Sequence, residues 1–148
     1  MQKIKIIAVG SLNPNFKILF KDYAKNISHY CQLNIVEIKE FSEEKNIEVK
    51  KQKETKLILN HIDKNDFIIL ASLKGKQIDS IQLSKTINNY QNITFIIGGS
   101  DGVVEEDINA DFLISFSKLT FPHQLFRVML TEQIYRSFTI IRNKKYHK

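Results

Sequence analysis

A chain of 148 residues, 43% hydrophobic and 26% charged, has the make-up of one folded domain spanning residues 1–148, not of a disordered or fibrous protein. Its net charge of +6 favours an anionic partner, nucleic acid first, although only three of the 22 basic residues are arginine and a lysine-rich composition at large explains much of that charge. A lone cysteine, Cys31, excludes an intrachain disulfide and leaves no thiol zinc site, while no apolar run approaches the roughly 20 residues of a membrane span.

The opening MQKIKIIAVG interleaves Lys3 and Lys5 with apolar positions, which is a strand pattern and not a signal peptide, so the chain reads as soluble and cytoplasmic. This first strand ends at Gly10. Asn13 then caps a helix with Pro14 in its first turn, and Phe16, Leu19, Phe20, Tyr23, Ala24 and Ile27 keep the spacing of one buried face. Leu33 to Phe41 reads as a second strand. Ser42, followed by Glu43 and Glu44, opens a charged helix to about Ile62, with Lys45, Lys50, Lys51, Lys53 and Lys56 on its outer faces. Such a face is commonly just wet; an RNA-phosphate contact is the alternative.

Phe67 to Ala71 is a continuous apolar run ending toward Gly75, as suits a strand covered on both faces of a parallel sheet. Ser80 caps a third helix, Ile93 to Ile97 forms another buried strand, and Gly98-Gly99-Ser100-Asp101-Gly102 follows it. A short acidic helix at Glu105–Asp107 and a strand from Phe112 to Phe116 precede the last helix, which opens at Pro122. The alternation of strand and helix predicts an α/β fold with a mostly parallel sheet flanked by helices.

Gly10, Gly75, Gly98 and Gly99 follow predicted strand ends, the edge at which open α/β sheets bind ligands. They do not spell the dinucleotide fingerprint, and no phosphate-loop lysine follows them. No nucleophile stands beside a plausible base, and no cluster of side chains has metal-ligand spacing. A reaction that needs mainly positioning is favoured by that elimination.

In the last helix Phe126, Leu130, Ile134, Phe138 and Ile141 form a stripe that Leu125, Val128, Met129 and Tyr135 widen past one face. A homodimer face on this helix is the expectation. All three arginines, Arg127, Arg136 and Arg142, lie in the final stretch, and Glu132 with Arg136 has the i, i+4 spacing of an ion pair.

The string GGSDG, followed by SFSKLTFPHQLFRVMLTEQIYRSFTIIRNKKYHK, closely resembles the RlmH (YbeA-like) branch of the SPOUT methyltransferases. The Ala8-Val9-Gly10 strand end, Gly75-Lys76 before the third helix and the Tyr146-His147-Lys148 terminus extend the resemblance over the full length. It implies a C-terminal deep trefoil knot, a homodimer, and S-adenosylmethionine as cofactor. The implied reaction methylates ring N3 of a pseudouridine in helix 69 of 23S rRNA. Carried onto this chain, the cofactor loops comprise Ala71, Gly98 and the run Phe116, Ser117, Lys118, Leu119, Thr120 and Phe121. Arg142, Lys144, Lys145, Tyr146, His147 and Lys148 would contact the ribosomal RNA, and His123, Tyr146 and His147 are the candidates for a catalytic base. Ala71-Ser72 departs from the family's tendency to leucine followed by an acidic residue. A non-catalytic RNA-binding or ribosome-associated factor on the same fold is the alternative reading.

Overall fold

The computed structural model describes every residue from Met1 to Lys148. Five strands and five helices alternate along the chain: β1 (Lys3–Val9), α1 (Pro14–Ile27), β2 (Gln32–Ile38), α2 (Ile47–Leu59), β3 (Phe67–Gln77), α3 (Ser80–Asn89), β4 (Asn92–Ile97), α4 (Glu105–Ile108), β5 (Phe112–Ser115) and α5 (His123–Ile141). The strands form one sheet in the order β2-β1-β4-β3-β5, and every pairing is parallel. All five C-terminal strand ends therefore lie along one edge.

The continuous apolar runs are explained by helices on both faces. On one face Ile4, Ile6 and Ala8 of β1, Phe95 and Ile97 of β4 and Ile69 of β3 pack against Ile27, Leu83, Ile87, Leu130, Ile134 and Phe138 of α1, α3 and α5. On the other, Ile7, Val9, Leu70 and Ile96 meet Ile58 of α2 and Ile108 of α4. Successive strand residues point to opposite faces, so a strand apolar at every position is one that is covered twice.

The stripe on α5 has its partner inside the protomer. Leu130 and Phe138 are buried in the core, and Ile134 is 0% exposed. Burial of each such side chain is worth about 1.5–3 kcal/mol. A helix near the chain end is central here because α1 and α3 close around it. The apolar side chains left in solvent include Ile18 and Leu19 on α1.

Local boundaries moved for chemical reasons. The cap of α2 is Asn46, whose side-chain oxygen accepts from Val49 N–H at 3.2 Å, and Ser42 stays in the preceding turn. β2 ends at Ile38, and Phe41 N–H turns away to the Glu54 carboxylate at 2.9 Å. Asp79, not Ser80, caps α3 in a reciprocal box: it accepts from Gln82 N–H at 2.8 Å, while the Gln82 side chain accepts from Asp79 N–H at 2.9 Å. Pro122 is the residue before the first turn of α5 and accepts from Phe126 N–H at 2.9 Å. The last strand stops at Ser115, which frees Phe116 for the loop that follows. No helix is long and apolar enough to cross a membrane.

Candidate functional site

At the C-terminal edge of the sheet three loops enclose a crevice of about 680 Å³. One wall is Ala71, Ser72 and Leu73 from β3, a second is Gly98–Gly102 after β4, and a third comes from the Phe116–Phe121 loop after β5. Pro122, His123 and Phe126 at the start of α5 complete it.

Each loop has a local cause. The ladder between β3 and β5 breaks after Ala71 and resumes with Lys76 opposite Ile114, so residues 72–75 arch out of the sheet. Gly75 permits the arch to close: a Cβ there would stand 2.5 Å from the Ile114 backbone. The second loop turns tightly at Gly102, whose φ of +78° favours glycine and whose N–H donates to Gly99 O at 3.1 Å. In the third, Ser117 Oγ accepts from Leu119 N–H at 3.0 Å, and Ser115 Oγ donates to Ser117 O at 2.9 Å. Phe116 packs on Phe126 with ring centroids 4.6 Å apart.

Of the cofactor residues expected from the sequence, Ala71, Gly98, Phe116, Ser117, Leu119, Thr120 and Phe121 all line this crevice. Lys118 does not; its exposed side chain lies outside the lining. His123 lines it too. Leu73 and Asp101 also line it and were missed: Leu73 lies past the apolar run that marks β3, and Asp101 looks like an ordinary turn residue. A physical signal does mark Leu73. It is 72% exposed and Leu119 is 71% exposed, two large apolar side chains facing one hollow without a protein partner.

Behind the Gly98–Gly102 loop lies a buried ionic group. Lys50 Nζ meets Glu54 and Asp101 at 3.2 Å each and Glu40 at 3.3 Å. This removes Lys50 from the outer face of α2, where the sequence had placed it: its side chain is 5% exposed because the carboxylates draw it inward. Burial opposes its charge, yet Glu54, Asp101 and Glu40 together hold its pKa above the usual lysine value. Arg127 is likewise internal at 1% exposure. It donates to Glu37 at 2.6 Å and to Gly10 O at 2.8 Å, tying the start of α5 to the end of β1.

The terminal residues divide. Arg142, Lys144, Lys145 and Lys148 are exposed, whereas Tyr146 and His147 fold back on α5. Tyr146 donates to Glu132 at 2.7 Å and lies under the Arg136 guanidinium, 4.8 Å from its ring centroid. Arg136 NH2 in turn donates to Glu132 at 2.8 Å, as the i, i+4 spacing suggested. Burial first, then the Glu132 carboxylate, push the Tyr146 phenol up to about 12, so it is a poor proton acceptor near neutrality. His147 Nδ1 is 3.1 Å from Arg136, and its side chain borders a neighbouring groove of about 500 Å³ that shares Phe116 and Phe121 with the crevice.

An all-parallel α/β sheet with a crevice of this volume at its strand ends has the architecture of an α/β protein with room for a nucleoside-sized ligand among three loops. The family model described as "Predicted SPOUT methyltransferase" matches residues 2–147. Relatives named "Ribosomal RNA large subunit methyltransferase H" include one from Mycoplasmopsis agalactiae, 64% identical over 100% of both chains. Another, from Mycoplasmopsis synoviae, is 57% identical over 98% of this chain and 99% of its own. One from Clostridium botulinum (strain Kyoto / Type A2) is 45% identical over 98% and 99%. The chain belongs to the SPOUT methyltransferases, in the RlmH family. SPOUT enzymes take their methyl group from S-adenosylmethionine, and family membership brings with it the trefoil-knotted C-terminal half.

Proposed function

We propose that this protein methylates large-subunit ribosomal RNA from S-adenosylmethionine, at ring N3 of a pseudouridine in helix 69 of 23S rRNA. It would act in the cytoplasm as a homodimer of single-domain chains. The observation that carries the reading is the placement of the Phe116–Phe121 loop, part of the C-terminal stretch that carries the family resemblance, as one wall of the crevice. The crevice fits the cofactor. Leu73, Phe116, Leu119 and Phe121 offer apolar surface to an adenine, and the exposed Ser72–Leu73 and Gly98–Gly102 backbones and the Ser117 and Thr120 side chains offer hydrogen-bond partners.

When bound, the cofactor supplies an electrophilic methyl on a sulfonium. The chain's residues hold the acceptor base in line with it, a contribution of position more than of acid–base strength. Ala71, Gly98 and the Phe116–Phe121 loop bind and orient the donor. His123, the one imidazole on the crevice lining, is the candidate to take the ring proton of the acceptor. Arg142, Lys144, Lys145 and Lys148 form an exposed basic end suited to rRNA phosphates. Support for a second copy against α5 is the largely apolar groove lined by Met129, Ile78, Ile81 and Phe121.

Nucleoside mass spectrometry of 23S rRNA from a deletion strain tests the activity; the expected result is loss of the methyl from one pseudouridine, restored by the gene. An unchanged methyl would favour the non-catalytic reading. Deleting Lys145–Lys148 should abolish methylation of ribosomes and leave cofactor affinity within about twofold. Ile134 is too deeply buried to report on assembly, so Met129→Glu is the interface test, and sedimentation should show a shift to monomer.

A further inference from the structure

Among the 19 residues that line the crevice none is lysine or arginine, and Asp101 is the one acidic side chain. In a chain of net charge +6 this is a local reversal of sign. Asp101 also belongs to the buried group behind the loop, where one ammonium faces three carboxylates, leaving two negative charges in excess. Glu54 is 0% exposed and its Oε1 has no hydrogen-bond partner. That oxygen lies 3.4 Å from where a Cβ on Gly99 would stand, and Glu40 Oε2 lies at the same distance from that point. Gly99 is itself part of the crevice wall. On the β3 side Ser72 donates to Glu105 at 2.7 Å, which sets one more carboxylate behind the lining.

We propose that this acidic backing makes the crevice selective for cofactor charge, favouring the sulfonium donor over the neutral thioether product. In the transfer the S–CH₃ bond breaks with its electron pair left on sulfur, and the acceptor nitrogen gains the methyl and gives up its ring proton to a base, for which His123 is the candidate. The donor, net +1 at neutral pH, thereby becomes S-adenosylhomocysteine, net zero. A field that attracts the first does little for the second, so methyl transfer itself loosens the ligand. At a separation of about 6 Å and an effective dielectric of about 40–80, as suits a crevice open to water, unit charges interact strongly enough to alter affinity by about three- to tenfold.

The inference rests on the cofactor reading of the crevice, and titration calorimetry with S-adenosylmethionine and S-adenosylhomocysteine separates the two. Asp101→Asn should weaken the donor about three- to tenfold and leave the product within about twofold, with Asp101→Glu retaining the wild-type ratio. Glu40→Gln, one layer behind the lining, should shift the ratio in the same direction by less. Equal weakening of both ligands would mean that Asp101 only shapes the loop, and an unchanged ratio would mean that its charge is irrelevant; either overturns the inference. Failure of the wild-type protein to bind both ligands would overturn the cofactor reading along with it.

Discussion

The two ends of the sheet carry hollows of opposite character. At the N-terminal edge a cavity of about 400 Å³ is lined by Lys3, Lys5, Lys64, Asp63, Asp66 and several amides. Part of that polarity is satisfied internally. Lys5 donates to His61 O at 2.6 Å and to Asp63 at 3.1 Å, and Asp66 accepts from Thr94 Oγ1 at 2.8 Å and from Asp63 N–H at 3.0 Å. The crevice at the C-terminal edge instead leaves Leu73 and Leu119 facing solvent and sets loop backbone around them. The first hollow is a polar seam between elements in which Lys5, Asp63, Asp66 and Thr94 already have partners. The second leaves apolar surface uncovered within the protomer, and in an all-parallel sheet it lies where the helix-joining loops converge.

Four substitutions sharpen that contrast. Lys50→Met would strand three carboxylates behind the crevice loop and should cost about 3–5 kcal/mol in denaturant unfolding, the usual cost of removing one partner from a buried ionic group. Gly75→Val places a side chain against the Ile114 backbone, 2.5 Å from its would-be Cβ. It should lower stability by about 2 kcal/mol and, by displacing the Ser72–Leu73 arch, weaken cofactor binding in calorimetry as well. Leu119→Ala should leave the thermal midpoint unchanged, since the side chain is 71% exposed, yet reduce cofactor affinity about tenfold through lost apolar contact. At the opposite end Lys64→Ala should change stability by less than about 0.5 kcal/mol and cofactor affinity not at all. A Lys64→Ala effect on binding as large as that of Leu119→Ala would dissolve the distinction between the two hollows.

Much of this was legible in the residues. The continuous run Phe67–Ala71 announced a strand covered on both faces, Ile93–Ile97 read as another buried strand, and Asn13-Pro14 marked the start of α1. The resemblance supplied the expected cofactor residues, of which only Lys118 falls outside the crevice lining. What stayed hidden depends on long-range contacts. Lys50 has the sequence context of a wet helix face, and only the approach of Glu40 and Asp101 from distant loops shows it to be internal. Arg127 was noticed as an arginine but not as the buried partner of Glu37, 90 residues away. The α5 stripe had two possible partners, a second chain or the protomer's own core. Periodicity reports that a face is apolar without saying what covers it. Tyr146, expected as an RNA contact and a candidate base, is held in this conformation by Glu132 and Arg136, a contact that i, i+4 reasoning reached only in part.

The most direct test is a crystal structure of the protein with S-adenosylmethionine. The expected result is cofactor density at the C-terminal edge, between the Ser72–Leu73 arch, the Gly98–Gly102 turn and the Phe116–Phe121 loop, with Leu73 and Leu119 covered. Cofactor bound elsewhere, for example in the polar seam around Lys5 and Asp63, would contradict the assignment of the crevice.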